Sequence, residues 1–156
     1  MIHIRDSSRR FPSGRVLGRS VFFRGMPAKL DIGNSYSLQS RVEEWMTAEK
    51  AGNPGVDVLA TSVLVQLVEN AAIHCLAPML RDGQISLGTH VELEHRQPVP
   101  VGFIVRVEVE VVHVDGPRVG FAVRVFDEQE LVAEGTHERY LIDRTKFLAK
   151  LEEKLA

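Results

Sequence analysis

Three polar side chains occupy places that a hydrophobic core would rather leave apolar: Thr61, Glu69 and His95. Together they offer a hydroxyl, a carboxylate and an imidazole, a set able to run acyl transfer or hydrolysis. Thr61 and Glu69 share the stretch VLATSVLVQLVENAAIHCLAPML at residues 58–80. Turned at helical pitch from Thr61, its residues Ala60, Leu64, Leu67, Val68, Ala71, Ala72 and Cys75 fall on one continuous apolar arc. Thr61 lies inside that arc near its start, and Glu69 borders it two turns later. His95 belongs to a different pattern, a strand in which Val91, Leu93 and His95 share one face while His90, Glu92, Glu94 and Arg96 share the other. Each of the three also has a plainer role open to it. Thr61 could cap the helix, Glu69 could face solvent at the arc's edge, and His95 could be a hydrogen-bonded strand end.

Other reactive groups fit chemistry less well. Cys75 is on the apolar arc with no basic neighbour at helical spacing, so it reads as core rather than nucleophile. His74 falls on the helix's polar side and His90 on the strand's polar face, while His113 and His137 are strand residues without metal-like spacing. There is no HExxH, HxH, clustered carboxylate, GxGxxG, P-loop or GxSxG, so neither a metal nor a nucleotide cofactor is expected.

The elements that must position these residues follow from periodicity. The apolar stretch at 58–80 predicts one long, largely buried helix that stops near Pro78, with Gly83 available for a left-handed cap. Ahead of it, residues 30–45 suggest a first strand packed through Tyr36, Leu38, Val42 and Trp45, and KAGNP at 50–54 is a loop. Behind it, alternation predicts strands at 85–96, 101–111, 119–125 and 131–143, with Asp115-Gly116 and Asp127-Glu128 as turns. RTKFLAKLEEKLA at 144–156 predicts a short amphipathic helix with Phe147, Leu148 and Leu151 inward. One long helix followed by a run of strands implies an α+β hotdog fold, a long central helix wrapped by a curved antiparallel β-sheet. Such a sheet leaves an open edge and an uncovered helix flank, so an isologous homodimer is expected, with a dimer of dimers also open.

At 156 residues the chain has the length of one domain. The expected division is a flexible Arg-rich segment at 1–27 and a single domain at 28–156. Residues 1–26 carry six arginines, one aspartate and no lysine, for a charge of +5, and the remainder carries −7. An acidic body argues against phosphate-backbone binding, so no nucleic-acid partner is expected. The first segment has the composition of a mitochondrial transit peptide, but an over-extended start ahead of Met26-Pro27 is the preferred reading. One cysteine excludes an intramolecular disulfide and any Cys-based zinc site. With no run of 18 apolar residues, no membrane span is expected, and a cytoplasmic setting fits.

Three ordered blocks, VLATSVLVQLVENAA, GTHVELEHRQPVPVG and EGTHERYLIDRTKFLAK, resemble the fluoroacetyl-CoA thioesterase-like family of hotdog proteins over roughly residues 30–151. The resemblance implies hydrolysis of a small acyl-CoA to the acid and free CoA, with no cofactor beyond the coenzyme A of the substrate. It places the family's catalytic threonine, glutamate and histidine on Thr61, Glu69 and His95. It also implies substrate contacts at Gly88, Thr89 and Arg139, with Gly88 admitting the thioester closely. In one departure, the fluoroacetyl-specific member has aromatic lid residues ahead of the VxAT block, where this chain reads AGNPGVD, with Gly52 and Gly55 in their place. That departure points to a general short- or medium-chain acyl-CoA thioesterase rather than a fluoroacetate-resistance enzyme. The alternative is a non-catalytic acyl-CoA-binding hotdog protein, a sensor or scaffold, whose sign would be a broken catalytic set. An enoyl-CoA hydratase ranks third, because no Asp–His pair lies near the helix start.

Overall fold

Apolar residues at every second position build the central strands of a five-stranded sheet that closes on one helix. The computed structural model describes residues 28–156. The expected Arg-rich segment at 1–27 lies outside those residues. In chain order the elements are β1 (Ser35–Arg41), α1 (Thr61–Leu76), β2 (Gln84–His95), β3 (Ile104–Asp115), β4 (Arg118–Phe126), β5 (Leu131–Asp143) and α2 (Arg144–Leu155). The sheet runs β1-β3-β4-β5-β2, with every neighbouring pair antiparallel. It curls round α1, which packs on β1, β2 and β3. This is the hotdog arrangement expected from the periodicity.

The core follows from the two periods meeting. Leu64, Leu67, Val68, Ala71, Ala72, Cys75 and Leu76 are the buried stripe of α1. They face Val105, Val107, Val109 and Val111 of β3 and Val119, Phe121, Val123 and Val125 of β4, all buried. Each large side chain so buried contributes about 1.5–3 kcal/mol of transfer free energy. By length and composition alone, Thr61–Met79 is apolar enough to cross a membrane. Here its apolar stripe is instead the partner of the sheet.

Several boundaries differ from the periodic reading. Val58 and Leu59 are not helical but bridge Pro100 and Thr47, so α1 begins only at Thr61. Trp45 is 57% exposed on a short 3-10 turn, Glu44–Met46, and Met46 takes the core position instead. Val101 is exposed in a turn, and β3 starts at Ile104. Gly83 does not cap α1, whose C-cap is Ala77 in the right-handed region; with φ +77 it turns the chain into β2 instead. The residues of α2 expected inward, Phe147, Leu148 and Leu151, are exposed, and among the described residues the helix makes its main contact with β5. Asp143, capping Lys146 N–H at 2.9 Å, starts that helix.

Candidate active site

Thr61 is the first helical residue of α1, and Ala60 is the N-cap without any side-chain capping bond. The threonine hydroxyl is therefore not spent on capping. It lies 2.9 Å from Nδ1 of His95, the last residue of β2. A helix start leaves its first N–H groups without acceptors a turn back, and the first such bond here is Leu64 N–H to Ala60 O. The pair thus sits beside a ready-made cluster of donors and the positive end of the α1 dipole.

His95 has the properties of a base held neutral. Burial lowers its pKa from the ordinary imidazole value, and the Gln97 backbone offsets part of that shift. Nε2 is buried and has no hydrogen-bond partner of good geometry among the described residues. Thr61 and His95 line a cavity of about 380 Å³ together with Ala48, Asn53, Val58 and Gln97. In the loop that supplies Ala51 and Asn53 to that lining, a Cβ on Gly52 or Gly55 would meet nothing within 4 Å, and their φ values of +108 and +78 suit no bulky side chain.

Glu69 is elsewhere. Eight residues along α1 carry it about 12 Å from Thr61 along the axis. Half-buried, it makes no hydrogen bond or ion pair to Thr61 or His95 among the described residues. Its carboxylate lies instead over Gly88 of β2, where a Cβ would collide with Glu69 Oε1 and come within 3.2 Å of His137 Cε1. Gly88 is therefore the position whose missing side chain makes room for the carboxylate. Arg139 of β5 pairs across from Gly88 and is 3% exposed. Its Nε donates to Ser86 Oγ at 3.0 Å and its Nη2 to Ser86 O at 2.8 Å, while Nη1 lies 3.3 Å from His137 Nε2. Burial lowers the Arg139 pKa, and the Glu69 carboxylate opposes that shift.

The structure therefore brings Thr61 to His95, and Glu69 to Gly88 and Arg139, as two half-sites on one helix. It separates Thr89 from both. A bulge between Gly88 and His90 turns Thr89 outward, where its hydroxyl donates to Glu138 Oε1 at 3.0 Å beside Arg118. His137 has no metal-like spacing in the sequence, yet it is 2% exposed at the centre of the second half-site. The signal that finds it is the strand phase of GTHER, which sets His137 and Arg139 on one inward face. Gly135, in the same phase, lets β2 approach: a Cβ there would stand 2.9 Å from Glu92 C and Leu93 Cα. Cys75, buried, has its thiol pKa pushed up to about 11 by desolvation, which makes it inert.

Comparison with known proteins gives one answer. The model of a family described as fluoroacetyl-CoA-specific thioesterase, FlK, matches residues 42–145. The fluoroacetyl-CoA thioesterase of Streptantibioticus cattleyicolor is 38% identical over 98 residues, 63% of this chain and 70% of that protein. A crystal structure of a point mutant of the fluoroacetyl-CoA-specific thioesterase FlK superposes with a TM-score of 0.76 at 31% identity, over 81% of this chain and 98% of that one. A Thermus thermophilus thioesterase superfamily member superposes at 0.73 with 27% identity, over 85% and 98% of the two chains.

Proposed function

Because the chain belongs to the fluoroacetyl-CoA-specific thioesterase family and is an acyl-CoA thioesterase, we propose that it hydrolyses short- or medium-chain acyl-CoA through Thr61, Glu69 and His95. The observation that carries the assignment is the 2.9 Å contact between Thr61 Oγ1 and His95 Nδ1, with Nε2 left unpartnered. With Nδ1–H donating to the threonine oxygen, Nε2 presents a lone pair. It takes a proton from water as the water oxygen attacks the thioester carbonyl carbon. The oxyanion so formed is stabilised by backbone N–H groups at the start of α1 or near Gly88. Collapse breaks the C–S bond, and the imidazolium returns its proton to the departing CoA thiolate. Products are the carboxylic acid and free CoA.

Glu69 requires a second element to share that carbonyl. β2 is an edge strand, and residues 87–92 are all exposed, on both faces, with Leu87 and Val91 among them. An exposed edge of that length invites pairing with its own copy. Antiparallel β2–β2 pairing about a dyad between residues 91 and 92 would set Gly88 and Glu69 of one protomer beside His95 and Thr61 of its partner. We assign Glu69 the role of orienting or assisting the reacting groups across that interface. The preference for short or medium acyl chains over fluoroacetyl rests on the loop at 52–55, where two glycines with open space around them offer no aromatic side chain to cover the site. Gly88 lies under the reacting groups in this reading, and Arg139 lines the acyl end. Thr89, turned outward, belongs with the interface rather than the acyl group.

The test is CoA release from a panel running from acetyl and fluoroacetyl through long-chain and aryl-acetyl thioesters, on the wild-type chain and the His95→Ala and Glu69→Ala variants. Loss of about 100-fold or more in both variants is expected, with the best substrate among the short or medium chains. No turnover of any thioester, with acyl-CoA still bound by calorimetry, would replace the enzyme by a binding protein.

A further inference from the structure

The acid–base reading uses His95 and leaves a second buried imidazole, His137, without a task. Its surroundings fix its chemical form. Nδ1 lies 2.7 Å from His90 O, and a carbonyl only accepts, so Nδ1 carries the hydrogen. Nε2 lies 3.3 Å from Arg139 Nη1, and a guanidinium only donates, so Nε2 keeps its lone pair. The ring stacks on Phe121, with centroids 6.2 Å apart and planes at 24°, which holds its tilt. We propose that His137 is a positioning residue of the hydrolytic site: locked as its Nδ1–H tautomer by the His90 carbonyl, it offers Nε2 to Arg139 and so sets the guanidinium that faces Glu69.

The neighbours agree with that form. The charged and titratable groups around the ring are Glu69 from α1, His90 from β2 and Arg139 from β5. Burial lowers the His137 pKa more than the His90 carbonyl raises it, and the Arg139 charge acts in the same direction as burial. A protonated His137 would have no lone pair for Arg139 and would set two cations together in a buried place. The remaining Arg139 donors go to Ser86 Oγ and O, so three acceptors hold the guanidinium in one plane. Removing the His137 acceptor frees one arm of that fork.

This inference rests on the thioesterase reading of the same site, and three variants separate the two. Gln at 137 keeps an acceptor near the place of Nε2, whereas Asn keeps a donor near the place of Nδ1, and Leu keeps neither. His137→Gln is expected to retain kcat within about 5-fold of wild type. His137→Asn and His137→Leu should lose about 10-fold or more in kcat, with KM for the acyl-CoA changed by less than about 3-fold. Equal losses in Gln and Asn, or better rescue by Asn, would overturn the proposal in favour of a structural tie to the His90 carbonyl. A second readout needs no turnover. Imidazole nitrogen NMR of the wild-type chain should show His137 neutral with its hydrogen on Nδ1 at pH 7. An Nε2–H or doubly protonated ring would refute it. Arg139 guanidinium protons should exchange slowly in wild type and His137→Gln but rapidly in His137→Asn; equal exchange in all three counts against the proposal. Lack of wild-type turnover would sink the thioesterase reading, and the two NMR measurements would still decide whether His137 holds Arg139.

Discussion

Replacing Gly88 by alanine tests whether the empty space above it belongs to Glu69. The added Cβ would overlap Glu69 Oε1 and stand 3.2 Å from His137 Cε1. His137 is stacked on Phe121 and tied to His90, so the ring cannot yield. The carboxylate, at the end of a flexible side chain, must retreat by about 1 Å to regain ordinary van der Waals separation, and a shift of that size in a reacting group lowers turnover by about 100-fold. Stability should change little, by about 1 kcal/mol or less, because the atom displaced is the far end of a side chain and β2 stays paired to β5. That corresponds to a shift in Tm of about 4 °C or less for a domain of this size. The assay is steady-state CoA release on the best substrate of the panel, with thermal unfolding followed by circular dichroism. Gly120→Ala is the control: its Cβ would meet only His113 Cβ, at 3.3 Å on an exposed residue of β3, and activity should hold. A Gly88→Ala enzyme with wild-type kcat would show that the carboxylate's position over this glycine has no part in the reaction.

Three further outcomes follow from the same geometry. Gly135→Ala should lower Tm by about 10 °C or more, since its Cβ would drive into the Glu92 and Leu93 backbone, which a sheet cannot move cheaply; a normal Tm would mean β2 is held less closely than described. Half-buried His95 and buried His137 both have folded-state pKa values below the ordinary 6.5, so the unfolded chain binds protons first as pH falls. Stability should therefore be full above pH 6.5 and decline below it towards the lowered folded values, and the acid limb of kcat/KM should also lie below pH 6.5; an acid limb above 6.5 that vanishes with His95→Gln would contradict the neutral-base assignment. Mixing inactive Glu69→Gln and His95→Ala chains should restore roughly a quarter of wild-type activity through dimers that hold one intact composite site, whereas no recovery after verified exchange would place both residues in one protomer's site.

The fold was legible because its two periods are clean. The buried stripe of α1 follows the predicted arc from Leu64 to Cys75 and adds Leu76, while Thr61 at its start is exposed, and Val119, Phe121, Val123 and Val125 alternate without interruption in β4. What failed were positions that periodicity treats alike and packing does not. Trp45 continues the apolar pattern of the first strand, but the chain leaves the sheet at Arg41 and the ring remains outside. Phe147, Leu148 and Leu151 form the apolar face of an amphipathic helix that the described residues leave exposed. Within the candidate site, Thr61 and His95 stand out in the sequence because each breaks an apolar pattern, and the fold sets them 2.9 Å apart. His137 does not stand out, because its own strand carries Gly135 and Arg139 in the same phase and offers no apolar face for it to break.

The two half-sites share two elements, α1 and β2. Gly88 lies under Glu69 in the first half of the strand, and His95 meets Thr61 at its last residue. Seven residues of extended chain separate them by about 23 Å, while Thr61 and Glu69 are only about 12 Å apart along α1. A single acyl-CoA cannot present one carbonyl to both ends of a strand that long. Either one half-site does the chemistry and the other binds a remote part of the substrate, or a second copy folds the strand's two ends together. Dyad pairing of the exposed β2 edge does the latter without moving any residue within the protomer, because it lays Gly88 of one strand opposite His95 of the other. On the proposed dimer, the exposed β2 edge and the His95 Nε2 that has no hydrogen-bond partner among the described residues would share one cause, a site completed by the second copy.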